Sequence, residues 1–170
     1  MSLLKNRGES EKHFLARKIM FDYLRALYDS EQQFEILPEF PPYKSLARAD
    51  LAAVDLEPPR MKIMIWVEVQ ETRLSRRAWN SKLTRVLRLY RINSLWVTVT
   101  EDLKEDLEMI WSVLSNIGKC FVLFCVDTSA KRVFKVRISR QMLERTELLI
   151  RDRTVFEKEC IPVSLTNFMR

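Results

Sequence analysis

Apolar and polar residues alternate along this chain with two different periods, and the changes of period mark its elements. Ser10 can cap a helix running to about Asp29, with Phe14, Leu15, Ile19, Phe21, Leu24, Leu27 and Tyr28 giving it a broad apolar face. Phe34 to Phe40 reads as a short or edge strand because Pro38 lies inside it, and Pro41-Pro42 then breaks the chain. Two strands follow, Ala47–Leu56 and Met61–Glu71, joined by Glu57-Pro58-Pro59-Arg60. In the second, Ile63, Ile65, Val67 and Val69 point one way and Met64, Trp66, Glu68 and Gln70 the other.

An amphipathic helix from about Leu74 to Arg91 and a strand at Ser94–Thr100 come next. Glu101 to Asn116 reads as a helix whose acidic start suits its dipole. Lys119–Asp127 and Arg132–Ile138 form a hairpin about Thr128-Ser129-Ala130. Ser139 can cap a last helix with Met142, Leu143, Thr146, Leu149 and Ile150, and residues 151–170 have no clear pattern. The order predicts one α/β domain over residues 1–170 with a mixed sheet flanked by helices: an α-β-β-β-α-β core over about 10–100, then a helix, hairpin and helix extension over about 101–170.

Composition narrows the chemistry. The 170 residues are 47% hydrophobic, enough for a sizeable core and too apolar for disorder. Cys120 to Val126 is the longest apolar run, far short of a membrane span, and the start MSLLKNRGESEK has no long apolar stretch of the kind a signal peptide carries. An intracellular, cytoplasmic protein without a membrane partner is expected. The only glycines, Gly8 and Gly118, cannot write a phosphate-binding loop or a nucleophile elbow. Cys120, Cys125 and Cys160 lack metal-ligand spacing and read as reduced thiols, and His13 is the only histidine. It reads as a surface or packing residue. Chemistry here must therefore rest on carboxylates, amides and cations.

Asp50 and Glu68 are the first candidates. Centring the loop on Pro59 sets Asp50 directly across from Glu68 on one face of an antiparallel pair, with Gln70 two residues on. Opposed carboxylates repel, and a hard divalent cation relieves them. On spacing alone, a register off by one or two residues, with both acids solvated, remains open.

Arg48-Ala49-Asp50-Leu51-Ala52-Ala53-Val54-Asp55, followed by Ile65-Trp66-Val67-Glu68-Val69-Gln70, resembles the PD-(D/E)XK (restriction-endonuclease-like) nuclease superfamily over about Ser10 to Thr100. That family places an Asp at the start of one strand and an acid-x-Lys triplet on the next. Here Ala49 replaces the motif proline and Gln70 the lysine, and Lys82 in the following helix can supply the missing charge, as in some members. Lys5-Asn6-Arg7-Gly8-Glu9-Ser10-Glu11 is similar to the start of archaeal Holliday-junction resolvases, whose first helix carries a glutamate; Glu11 is the best match, with Glu9 as the alternative. The resemblance implies a DNA endonuclease, acting as a homodimer in many relatives. Asp50, Glu68 and the Val69 carbonyl would hold Mg2+ or Mn2+, and Gln70 and Lys82 would position a water. Read from the residues alone, Lys82 is a helix-surface lysine, and Glu11 is equally an acid favoured by the helix dipole.

Charge placement adds a second candidate. The chain carries 29 Lys+Arg against 23 Asp+Glu, net +6. Thr72–Thr100 has no acid and seven cations, so everything else is near neutral. At about 100° per residue, Arg73, Arg77, Arg85, Arg88 and Arg91 share a third of the helix circumference, opposite Trp79, Leu83, Val86, Leu87 and Tyr90. This face reads as a phosphate-binding surface, which Arg132, Lys135 and Arg137 extend, or as a basic face paired with acids elsewhere in the fold. A catalytically silent nucleic-acid-binding relative and a non-enzymatic assembly protein holding an acidic partner are the alternatives to the nuclease.

Overall fold

The computed structural model describes residues 3–28, 34–40, 48–55, 62–89, 92, 94–117 and 120–140. Its elements, in chain order, are α1 (Glu11–Tyr28), β1 (Phe34–Phe40), β2 (Ala49–Asp55), β3 (Lys62–Gln70), α2 (Arg76–Leu89), β4 (Ser94–Thr100), a 3-10 helix (Glu101–Asp106), α3 (Leu107–Ile117), β5 (Phe121–Asp127) and β6 (Arg132–Ile138). The strands form one sheet in the order β1-β2-β3-β4-β5-β6. β3, β4 and β5 run parallel, while β1–β2, β2–β3 and β5–β6 are antiparallel. The result is an α/β fold with a mixed sheet flanked by helices. The expected helix after Ser139 and the tail lie outside the described residues, as do Leu27's side chain and Cys160.

Each sheet face carries its own apolar cluster. α1 packs Ala16, Met20, Phe21 and Leu24 against Leu51, Ile65, Val67, Trp96 and Phe124. Its buried stripe is centred on Ala16, Met20 and Leu24. Phe14 and Leu15, which lie off this stripe, are only half-buried. On the other face, Trp79, Leu83 and Val86 of α2 and Ile110, Val113 and Leu114 of α3 cover Trp66, Leu95, Val97 and Leu123. Full burial of such side chains contributes about 1.5–3 kcal/mol each. β4 is buried along its whole length and β5 almost so, which explains why neither alternates in sequence.

Local rules account for most boundaries. Ser10 Oγ accepts the His13 N–H at 2.9 Å and so caps α1. Pro38 sits on β1, an edge strand, the kind of position in a sheet where proline is tolerated. Glu101–Asp106 winds as a 3-10 helix before α3, and no side chain caps it at Thr100. Glu101 instead turns its carboxylate to the Thr128 hydroxyl, at 2.7 Å, and to the Thr128 N–H.

The β2–β3 register decides where the candidate site lies. Leu51, Ala52 and Ala53 pair with Val67, Trp66 and Ile65. One step further, this register sets Asp50 across from Glu68. Nearer the loop it shifts: Ala53 and Val54 pair with Ile65 and Ile63, so the step between them skips Met64 on β3. That extra residue reverses the alternation, and Ile63 packs on the α2 side while Met64 packs on the α1 side. The expected facing of these two residues is thereby corrected, and that of Ile65 onward is kept.

Candidate active site

Asp50 is the second residue of β2, and Glu68 and Gln70 close β3, so the antiparallel pairing gathers all three at one end of the sheet. The Val69 N–H donates to Asp50 Oδ2 at 2.6 Å. Glu68 is nearly enclosed, its side chain 7% exposed, and both oxygens are engaged. Trp66 Nε1 donates to Oε1 at 2.6 Å, and Lys82 Nζ lies 3.0 Å from Oε2. Lys82 also donates to Gln70 Oε1 at 3.0 Å. The Gln70 amide nitrogen donates to the Thr72 carbonyl and hydroxyl at 2.8 and 2.7 Å, which fixes the orientation of the amide. Lys82 reaches this point because it flanks the buried stripe of α2, about 60° around the helix from Trp79.

One lysine bonds the enclosed Glu68 and lies near enough to the half-buried Asp50 for its charge to be felt there. Asp50 is pushed up to about 6, chiefly by burial and next by the charge of Glu68; the Val69 N–H, His13 and Lys82 act the other way without cancelling these. The pair therefore has room for further positive charge, and its donors are hard oxygens of the kind Mg2+ takes. Val69 adds to this. N–H and C=O of one strand residue point to the same side, so its carbonyl opens toward β2, beyond the last paired residue Leu51. Among the described residues no three His, Cys, Asp or Glu side chains gather as a ready-made metal cage. The fit to a divalent cation thus rests on two carboxylates and a carbonyl, with waters completing the shell.

The N-terminal segment adds residues that sequence reasoning set aside. Gly8, at φ 83, turns the chain so that Glu9 accepts the Asn6 N–H at 2.8 Å. Such a φ suits glycine. Arg17 is fully buried and donates to both Glu9 oxygens, at 2.9 and 2.7 Å, and to the Leu4 carbonyl at 3.0 Å. Burial works against the Glu9 charge, but the bonds from Arg17, Asn6 and His13 hold its carboxyl below the ordinary value. Glu9 Oε1 also lies 2.8 Å from His13 Nδ1, and His13 Nε2 faces Asp50 Oδ1 at 3.7 Å. Glu39, at φ 50 on β1, turns to Asn6 at 2.8 Å and to Arg17 at 3.5 Å. Glu11 is not part of this group; it is 67% exposed and paired with Lys5. Of these residues, His13 and Arg17 share one side of α1 through their four-residue spacing, whereas Glu9 precedes the helix and joins them through the turn at Gly8.

The chain matches no protein-family model, no curated protein and no solved structure.

The basic residues divide. Arg77, Arg85 and Arg88 are exposed on α2 and have no ion-pair partner among the described residues. With Ser81 they span about 80° of the helix, opposite Trp79, Leu83 and Val86. Arg73, by contrast, pairs with Asp106 at 2.8 Å, the alternative reading for a basic face. Arg137 is held by Glu108 and lies over the Trp111 ring. Arg132 is exposed on β6. Arg91 and the side chain of Lys135 lie outside the described residues.

No helix among the described residues is long and apolar enough to cross a membrane. Cys120 and Cys125 are buried and unbridged.

Proposed function

We propose that this protein is a metal-dependent nuclease of the PD-(D/E)XK type, hydrolysing phosphodiester bonds in DNA at the end of β3. The observation that carries the reading is the meeting of Asp50, Glu68, Gln70 and Lys82, from two strands and a helix, with Lys82 Nζ 3.0 Å from both the Glu68 carboxylate and the Gln70 amide oxygen. Gln70 occupies the motif position of a lysine without its charge, and Lys82 brings an ammonium to that spot.

Asp50, Glu68 and the Val69 carbonyl would hold Mg2+ or Mn2+. Bound there, the ion supplies charge to the phosphoryl oxygens and eases deprotonation of the attacking water. Lys82 donates to that water or to a phosphate oxygen, and Gln70 keeps the lysine aimed. Arg77, Arg85 and Arg88 hold the strand by its phosphates, which confers affinity without sequence preference.

One observation favours a second reading, a silent nucleic-acid-binding relative: both Glu68 oxygens already have partners. Cleavage of plasmid and branched DNA in Mg2+ or Mn2+ separates the two. The nuclease reading expects activity in the wild type that Asp50→Ala and Glu68→Ala abolish. Equal activity in all three proteins overturns the site, and inactivity of all three with DNA binding intact supports the silent relative.

A further inference from the structure

Resting on this reading, we infer that Trp66 is a positioning residue whose indole N–H keeps the Glu68 carboxylate from closing wholly onto Lys82 and so leaves it free to take a cation. Trp66 and Glu68 stand two residues apart on β3, so their side chains share one face of the sheet, the face that α2 covers. Trp66 Nε1 donates to Glu68 Oε1 at 2.6 Å, and Lys82 Nζ lies 3.0 Å from Oε2. A carboxylate turns about one bond, so a donor on each oxygen leaves it a single orientation. It offers about four acceptor sites, so one remains on each oxygen for a metal ion.

The two donors differ in kind. Lys82 carries its charge on a flexible stem and also donates to Gln70. The indole is rigid, and Trp66 is fully buried in the apolar cluster with Trp79 and Leu83 of α2, so it cannot follow the carboxylate. An indole N–H only donates, whatever the pH, so this bond depends on no titrating group of Trp66. Without it, an enclosed carboxylate beside one ammonium would turn both oxygens to that ion, because pairing offsets the cost of burying charge. Lys82 would then leave Gln70, and the carboxylate would be spent on the lysine. Donors that hold a metal-ligating carboxylate from behind are worth about 10–100-fold in metal affinity.

The test removes the N–H and keeps the ring. Site-specific replacement of Trp66 by 3-benzothienylalanine puts sulfur where the N–H stood, and Trp66→Phe is the second variant. Mn2+ binding to the full chain without substrate, read by electron paramagnetic resonance, is expected to weaken about 10–100-fold in both. In the wild type, the Trp66 indole proton resonance, assigned by its loss in Trp66→Phe, is expected to move when Mg2+ is added, because the ion draws charge from its acceptor. The Trp96 indole, which donates to Ser94 Oγ at 2.8 Å on the other face of the sheet, should stay in place. Unchanged affinity in both variants, with binding lost in Asp50→Asn, overturns the positioning role and leaves the nuclease reading standing. Weakening in Trp66→Phe alone reports lost ring packing and overturns it too, as does a Trp66 resonance that stays still while Mg2+ binds. Wild-type binding that survives Asp50→Asn, or no binding at all, overturns both readings.

Discussion

Replacing Asp50 by Asn should make the folded protein more stable at neutral pH, although it removes a proposed catalytic group. Asp50 is held at about 6 against an ordinary 3.8, because burial and the Glu68 charge disfavour its ionised form. A raised folded-state value means that the native state binds the proton more tightly than the unfolded chain. Stability from this group is therefore fully present below about 3.8 and is lost as pH rises through about 6. At 1.36 kcal/mol per pKa unit, the difference amounts to roughly 3 kcal/mol. Because the side chain remains 20% exposed, an effect of about 1.5–3 kcal/mol is expected. The Asn oxygen can still accept the Val69 N–H, so the variant gives up the charge and keeps the bond. Urea denaturation of both proteins from pH 4 to 8 measures it. The stability gain of Asp50→Asn should be small at pH 4, grow to pH 6 and level off above. A gain that stays flat with pH, or a less stable variant at pH 7.5, would refute the electrostatic argument. Saturating Mg2+ should then close the gap by stabilising only the wild type, by about 2.7 kcal/mol at one hundred times its Kd.

Lys82→Met should cost stability, about 3 kcal/mol by urea denaturation, because it leaves Glu68 buried without its cation. It should also reduce cleavage at least 100-fold. Gln70→Lys should preserve or raise DNA cleavage, and the double exchange Gln70→Lys with Lys82→Gln should retain more activity than Lys82→Gln alone. Changing Arg77, Arg85 and Arg88 together to Gln should leave the melting temperature nearly unchanged. The slope of log Kd against log salt for duplex DNA, measured by fluorescence anisotropy, should fall by about 3.

The elements were legible in the chain because their signals are local. Ser10 caps α1, Pro38 marks an edge strand, and the alternation from Ile65 to Gln70 survives intact in β3. The register that puts Asp50 opposite Glu68 was readable too, from a loop centred on Pro59. The bulge at Met64 was not, because an extra residue on one strand alters no feature of composition or period that precedes it. Of the charged positions, the sequence distinguished the arginine stripe of α2 from the core but could not assign partners. Arg73 and Arg137 proved to be bound by Asp106 and Glu108, which are distant in the chain.

The N-terminal residues show the same limit from the other side. Helix-dipole and motif arguments rank Glu11 above Glu9, since Glu11 sits in the first turn of α1. What decides between them is the turn at Gly8, which folds Glu9 back over the helix where Arg17 and His13 can reach it, while Glu11 projects into solvent. A buried arginine requires a carboxylate partner, and that requirement operates across packed elements rather than along the sequence. Glu9, Glu39, Asp50 and Glu68 consequently lie with Arg17, Lys82 and His13 around one end of the sheet, Glu9 and Glu68 enclosed and Asp50 and Glu39 partly exposed. A fold that only needed stability would gain by replacing the enclosed Glu68–Lys82 pair with apolar groups. Its presence beside Asp50 and Gln70 is what supports the proposal that this end of the sheet holds a cation.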